Sequence, residues 1–144
     1  MEKKVRVLIS LLIVMGMVTA FCLTAYGQEK GSAPSRLAVM WTSGDPDVAH
    51  RVCFMYTQNA KRQGWFDEVT LIVWGPSARL LAGDKDLQEK IKAMIKGGVK
   101  VQACLACSDS YGVTDALREM GIEVKYMGRD LTDILKGDWK LLTF

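Results

Sequence analysis

Short apolar runs alternate with longer stretches of helical periodicity from Leu37 onward. The runs are rich in β-branched residues and predict strands at 37–43, 68–75, 99–104, 122–127 and 139–144. The stretches between them predict helices that begin near Pro46, Pro76, Thr114 and Leu131. This β-α alternation predicts a three-layer α/β/α domain with a mainly parallel sheet of about five strands. The order of the strands stays open.

Two of the predicted helices carry an apolar stripe that we expect to face the sheet. The first stripe consists of Val48, Val52, Met55 and Tyr56, and the second of Leu87, Ile91, Met94 and Ile95. In the first helix Asp45 or Asp47 suits the positive end, and Gly64 ends the periodic stretch.

The first 27 residues have the layout of a secretory signal: positive charges, an unbroken apolar run, and small residues before Gln28. The run is also long enough to serve, over residues 7–26, as an uncleaved membrane anchor. Residues 28–36 are a polar Gly/Ser/Pro tether, and residues 37–144 form the domain. We therefore expect an exported, periplasmic or otherwise extracytoplasmic protein.

Charge and motifs exclude several classes of function. Without residues 1–27 the chain has 16 Lys and Arg against 15 Asp and Glu, which gives no electrostatic basis for binding nucleic acid. The chain contains no GxGxxG, no GxxxxGK[ST] and no GxSxG motif. Dinucleotide, P-loop and serine-hydrolase functions therefore have no support in the sequence.

The predicted strand ends carry the candidate chemistry, because ligands of such sheets bind beyond the carboxyl ends of the strands. Two ends have a tryptophan, a glycine and a hydroxyl, a third has two thiols, and a fourth has an arginine. The candidate substrate-binding residues are Trp41, Trp74, Ser77 and Arg129, and the candidate catalytic residues are Cys104 and Cys107. The alternative is that the tryptophans simply cap the core.

Three interpretations of the CxxC pair compete. A zinc site needs four ligands, and besides the pair the domain offers only the distant Cys53 and His50, so no metal is expected. Cys53 is interpreted as a buried packing residue. A disulfide suits an exported protein but closes a very short loop, which contributes little stability. A strand-to-helix junction directs backbone N–H groups at the Cys104 sulfur and favours its thiolate, which fits a redox or sulfur-handling role.

The segments "LAVMWTSGDPDVAHRVCFMYTQNAKRQGWFDEVTLIVWGPSARLL", "GGVKVQACLAC", "MGIEVKYMG" and "WKLLTF" resemble the DsrE family of sulfur-relay proteins. The resemblance implies a flavodoxin-like fold and a homo-oligomer of the trimer or hexamer kind. It also implies that Cys104 accepts sulfur as a persulfide. No cofactor is expected. Cys107 and the signal segment depart from the family pattern, and a Cys104–Cys107 disulfide would silence or gate that chemistry.

The leading hypothesis is an exported persulfide carrier, similar to a sulfurtransferase, in which Cys104 takes up sulfur and Cys107 resolves or protects it. Its partners would be a sulfur donor and acceptor, either proteins or small sulfur compounds. One alternative is a ligand-binding or assembly module with an inert disulfide. The other is a thiol-disulfide oxidoreductase, although no WCGPC-like sequence surrounds the pair.

Overall fold

The computed structural model describes residues 34–144. Five strands form one sheet in which every pair is parallel, in the order β4-β3-β2-β1-β5. The strands are β1 (Arg36–Trp41), β2 (Glu68–Val73), β3 (Lys100–Cys104), β4 (Glu123–Lys125) and β5 (Trp139–Thr143). The sheet confirms the predicted parallel α/β architecture.

The helices connect consecutive strands. They are α1 (Pro46–Val48), which continues through the π-helical turn π1 (Ala49–Cys53) into α2 (Phe54–Arg62), then α3 (Pro76–Gly83), α4 (Lys85–Lys96), α5 (Leu105–Ser110), α6 (Thr114–Glu119) and α7 (Gly128–Lys136). Asp45 caps the first of them, and Pro46 follows at the first helical position, as predicted. Asp84 caps α4 by accepting a hydrogen bond from the Leu87 N–H at 3.0 Å.

The two faces of the sheet are covered unequally. From β1 to β4 each strand lies on the same side of its predecessor, whereas β5 returns to the far side of β1. Because such crossovers are right-handed, the first three connections lie on one face and α7 lies on the other. The main core contains side chains of β1, β2 and β3 together with π1, α2, α3, α4 and α6. A smaller cluster contains Ala38, Ile72, Cys104, Met127 and Ile134 on the face of α7.

The apolar stripe of α4 is confirmed, since Leu87, Ile91 and Met94 are fully buried. The predicted stripe of the first helix is wrong at Val52 and Met55, whereas Tyr56 is partly buried and packs against the main core. Val52 and Met55 are 42% and 56% exposed. Ala49, Cys53, Phe54, Thr57 and Ala60 are buried instead.

The physical reason for this difference lies in π1 and in side-chain size. The i→i+5 hydrogen bonds of π1 widen the helical turn and change which positions face the sheet. The residues that do face it are mostly small, which allows the helix backbone to approach the strands closely. The buried Thr57 hydroxyl is satisfied within the helix, because it donates a hydrogen bond to the Cys53 carbonyl at 2.7 Å.

Within residues 34–144, no helix combines the length and the apolar character that a bilayer crossing requires. The predicted signal or anchor, residues 1–27, lies outside the described residues.

Candidate functional site: a thiol pair at the strand ends

Cys104 is the last residue of β3 and directly precedes α5. Side chains alternate along a strand, and Val101 and Ala103 pack into the main core. Cys104 therefore points to the opposite face, where it joins the smaller cluster with Ala38 and Ile72. Its side chain is only 5% exposed. The predicted strand-to-helix junction is confirmed, and it holds a buried sulfur.

Cys107 lies one helical turn after Cys104 and is half-buried. Both cysteines are free thiols, and Cys107 packs against the same cluster that contains Cys104. Burial raises the pKa of the Cys107 thiol above its ordinary value, and a hydrogen bond with the Cys104 thiol raises it further. The two thiols are therefore neighbours one helical turn apart on the same apolar cluster, an arrangement in which one can act on a group held by the other.

Gly75 brings the end of β2 to the same place. Its backbone N–H donates to the Cys107 sulfur, which opposes the rise of that pKa because it favours the thiolate. Gly75 has φ 70° and ψ −134°, a conformation that glycine adopts readily and other residues adopt rarely. The thiol pair is thus held between the exits of two neighbouring strands, β2 and β3.

Trp74 is the predicted cleft residue that the structure places beside the thiols. It immediately follows β2, is half-buried, and packs against the cluster that contains Cys104. Trp74 thus shares this cluster with the Cys104 sulfur, and an indole next to a sulfur is a favourable contact.

Trp41 lies on the other face of the sheet. Its side chain is completely buried in the main core, and its ring meets Phe54 edge to face at a centroid distance of 4.9 Å. The indole N–H has no hydrogen-bond partner among the described residues. Trp41 therefore packs the core beneath the end of β1 and does not line an open cleft with the thiols.

Ser77 is also fully buried, and its hydroxyl holds strand ends together. The Oγ atom donates to the Trp41 carbonyl at 2.6 Å and accepts from the Trp74 N–H at 3.0 Å. These contacts connect the start of α3 to the ends of β1 and β2. The Ser77 hydroxyl, which the sequence analysis predicted to bind substrate, therefore forms hydrogen bonds with the backbone instead.

Arg129 stands apart from the pair. It is in the first turn of α7, its side chain is 93% exposed, and its Nε lies 3.9 Å from an Asp133 carboxylate oxygen. Met127, the residue before α7, is the part of this segment that reaches the cluster with Cys104.

Sequence reasoning missed Gly75, Met127 and Lys125 as parts of the site. Lys125 is the β4 register partner of Cys104, and its Nζ lies 2.6 Å from Asp130 and 3.0 Å from Glu123. The hydrogen bond with Asp130 is the main reason why the pKa of Lys125 is raised. The Gly-Pro step after β2 was a signal for Gly75. The other two depend on strand order, which the sequence did not reveal.

Among residues 34–144, no three His, Cys, Asp or Glu side chains converge as a metal site would require. Cys53 and His50 lie elsewhere. Cys53 is fully buried in the main core, where burial raises the pKa of its thiol to about 12. The His50 ring lies 2.7 Å from Lys90 and 4.0 Å from Asp84.

The family model of the DsrE/DsrF-like family matches residues 17–144. The chain belongs to this family. DsrE proteins are associated with sulfur relay, and this general kind of function suits two free thiols at the end of a central strand. The sheet and helices described above are those of the flavodoxin-like DsrE fold.

A solved structure of a conserved protein of unknown function from Bacteroides thetaiotaomicron resembles this DsrE protein with a TM-score of 0.74. The two sequences are 34% identical over 76% of this chain and 95% of the other. No curated protein matches the chain.

Proposed function

We propose that this DsrE protein is an exported persulfide carrier, similar to a sulfurtransferase, in which Cys104 holds sulfane sulfur and Cys107 releases or protects it. The observation that carries the proposal is the pair of free, neighbouring thiols at the carboxyl end of β3 in a chain of this family. Gly75 and Trp74 are the residues that pack beside the pair.

The proposed chemistry begins with the Cys104 thiolate attacking the outer sulfur of a persulfide donor. A new S–S bond forms at Cys104, the S–S bond of the donor breaks, and the donor leaves as a thiolate. In the release step the Cys107 thiolate attacks the Cys104 sulfur. The products are a Cys104–Cys107 disulfide and hydrosulfide, so the outer sulfur is reduced as the two cysteines are oxidised. Two equivalents of an external thiol then reduce the disulfide through a mixed disulfide, and they leave as their own disulfide.

Burial supports the division of roles. Cys104 is 5% exposed and surrounded by apolar side chains, which would protect a persulfide from water and from stray thiols. Cys107 is the more accessible of the two, so a donor or acceptor approaches from its side. The Gly75 N–H is positioned to stabilise negative charge at the Cys107 sulfur.

Mass spectrometry of the intact protein tests the proposal. The reduced chain is incubated with polysulfide, desalted and weighed, and one added sulfur of about 32 Da is expected. Cys104→Ser should abolish the addition, Cys107→Ser should make it longer-lived, and Cys53→Ala is the matched control that should load like wild type. No addition to the wild type, or an addition that survives Cys104→Ser, would rule the carrier out.

The closeness of the two sulfurs also favours a second candidate, thiol-disulfide exchange with a partner protein. An oxidoreductase of this kind would reduce insulin in the presence of a thiol reductant, and either cysteine-to-serine variant would stop it. If insulin stays oxidised while the polysulfide assay loads Cys104, this second candidate fails. An inert disulfide predicts instead that both variants lower stability equally and that native thiol titration finds neither cysteine.

Export and assembly are part of the proposal. If the chain is cleaved before Gln28, the protein recovered from the periplasm should have the mass of residues 28–144. If the segment is instead kept as an anchor, the whole chain should be found in the membrane fraction. A trimer or hexamer is supported by large apolar side chains that are exposed in the single chain, among them Tyr126, Leu135 and Leu142. Light scattering after size-exclusion chromatography measures the subunit number, and a monomer at micromolar concentration would contradict it.

A further inference from the structure

The first helical segment carries apolar side chains on the side that faces away from the sheet. Val52 and Met55 are 42% and 56% exposed, and Trp65, just beyond the end of α2, is 54% exposed. Tyr56 connects them, because it follows Val52 by about one helical turn and its ring centroid lies 5.9 Å from that of Trp65. We call the surface formed by Val52, Met55, Tyr56 and Trp65 the Trp65 face.

The Trp65 face has the composition of a contact surface. Large apolar side chains that are exposed as a group mark places where a partner or a membrane binds. Tyrosine and tryptophan combine an apolar ring with one polar group, which suits the boundary between lipid headgroups and acyl chains. The Trp65 N–H donates to the Ala60 carbonyl at 3.0 Å, so the exposed ring extends from a backbone that is fixed to the helix.

The described chain enters the domain beside this face. The Ser35 N–H and hydroxyl donate to one carboxylate oxygen of Asp67, at 2.7 Å and 2.9 Å. The Asp67 N–H donates in return to the Ser35 carbonyl at 3.0 Å. Trp65 is two residues before Asp67, so their Cα atoms lie within about 8 Å of each other. Ser35 and the Trp65 face are therefore neighbours.

Only a short stretch of sequence lies between Ser35 and the predicted anchor. The apolar run covers residues 7–26, and residues 27–34 separate it from Ser35. Fully extended, this stretch spans no more than about 28 Å. A chain that keeps the apolar run in a bilayer therefore has the Trp65 face within reach of the surface of that bilayer.

The charges around the Trp65 face have no strong excess of either sign. From residue 47 to residue 68 the charged side chains are Arg51, Lys61 and Arg62 against Asp47, Asp67 and Glu68. A groove beside Met55 adds Lys90, whose Nζ lies 2.7 Å from His50, and the His50 ring lies 4.0 Å from Asp84. This balance favours neither a strongly acidic nor a strongly basic partner, whereas it suits a zwitterionic phospholipid surface.

We propose that the Trp65 face lies on the surface of a phospholipid bilayer when residues 7–26 are kept as an anchor. The Trp65 and Tyr56 rings enter the headgroup region, and Lys61 and Arg62 extend their long side chains to the lipid phosphates. This inference rests on the anchored form of the proposed function and is independent of the thiol chemistry.

Docking in this way orients the thiol pair. Trp65 precedes the amino end of β2, whereas Cys104 is at the carboxyl end of β3. All strands of the sheet run in one direction, so the two residues lie at opposite edges of the sheet. The docked domain therefore presents its thiols away from the bilayer, where a soluble sulfur donor or acceptor can approach them.

The test uses the full chain in phosphatidylcholine nanodiscs that contain some lipid with gadolinium on its headgroup. The indole N–H signals of the tryptophans are followed by ¹H–¹⁵N NMR, and Trp65→Phe and Trp74→Phe assign the two decisive signals. Gadolinium should broaden the Trp65 signal several-fold more than the Trp74 signal, because Trp74 follows the carboxyl end of β2. Added salt should not change this result, since the charges are balanced.

Variants then assign the contact surface. Met55→Ser keeps the Trp65 reporter and removes an apolar contact, so the broadening of Trp65 should fall by roughly threefold or more. Tyr126→Ser is the matched control, because Tyr126 is 71% exposed but follows β4 at the edge of the thiols, and it should leave the broadening unchanged.

Several results overturn the proposal. These are equal broadening of Trp65 and Trp74, unchanged broadening in Met55→Ser, and recovery from cells of a protein with the mass of residues 28–144. If Trp65 stays sharp and Met55→Ser lowers the subunit number in light scattering, the face joins copies of the chain instead. Cys104→Ser should dock like wild type, and Met55→Ser should load persulfide like wild type, so docking and the persulfide carrier fail or succeed separately.

Discussion

Replacing Ser77 by alanine separates its structural role from the ligand-binding role that the sequence suggested. The substitution removes one donor, which the Trp41 carbonyl accepts at 2.6 Å, and one acceptor, to which the Trp74 N–H donates at 3.0 Å. Each such bond contributes about 1 kcal/mol net. The Trp74 N–H also reaches the Trp41 carbonyl at 3.0 Å, so neither backbone group is left entirely alone.

We therefore expect Ser77→Ala to lower the free energy of unfolding by about 1.5 kcal/mol, which is less than the ~2 kcal/mol of two separate bonds because the Trp74 N–H and the Trp41 carbonyl remain partners of each other. For a domain of this size that corresponds to a fall in Tm of roughly 6–12 °C. The measurement is urea and thermal unfolding followed by circular dichroism. Folded Ser77→Ala should still load persulfide.

Ser110→Ala is the matched control for this experiment. Its hydroxyl donates to the Cys107 carbonyl at 2.7 Å but is exposed to water, which replaces the lost bond. We expect a change within about 0.5 kcal/mol. If Ser77→Ala melts like Ser110→Ala and instead loses persulfide loading, the structural reasoning is refuted and the ligand-binding role is supported.

The remaining predictions concern pH and backbone conformation. Burial raises the pKa of Cys53 from 9.0 to about 12, so the stabilisation from its protonated thiol is complete below pH 9 and falls by about 1.4 kcal/mol per pH unit above it. The free energies of unfolding of wild type and Cys53→Ala, measured in urea, should therefore converge as the pH rises above 9. A constant difference between them contradicts this. Because the pKa of Cys107 is raised, iodoacetamide should alkylate it more slowly at pH 8 in the native Cys104→Ser chain than in urea, and equal rates would disagree. Gly75→Ala should lower the free energy of unfolding in urea by about 1–2 kcal/mol, because Gly75 has a φ of 70°. Gly83→Ala is the control: it lies at a helix end with open space around it, and it should change that free energy by less than about 0.5 kcal/mol.

Local sequence patterns were sufficient to predict the strands and helices of the fold. The stripe of α4, the Asp45 cap with Pro46, and the five apolar runs are properties of short segments, and the structure reproduces them closely. The first helix shows the limit of this reasoning. Two positions of its predicted stripe, Val52 and Met55, are exposed, because the π-helical turn and the small residues on the other side decide which face meets the sheet.

The position of Cys104 at a strand end could be inferred from the chain, but its surroundings could not. Which residues meet across strands depends on strand order and register, and these are fixed only when distant segments pack together.

The sequence by itself determined the alternation of strands and helices, the family, and the place of the thiols along the chain, because these follow from neighbouring residues. Tertiary structure alone decided that Trp41 and Ser77 are buried, that Gly75 reaches the Cys107 sulfur, and that Cys104 joins the smaller cluster beneath α7. The physical reason is that β5 crosses to the far side of β1, which leaves one helix to cover that face of the sheet.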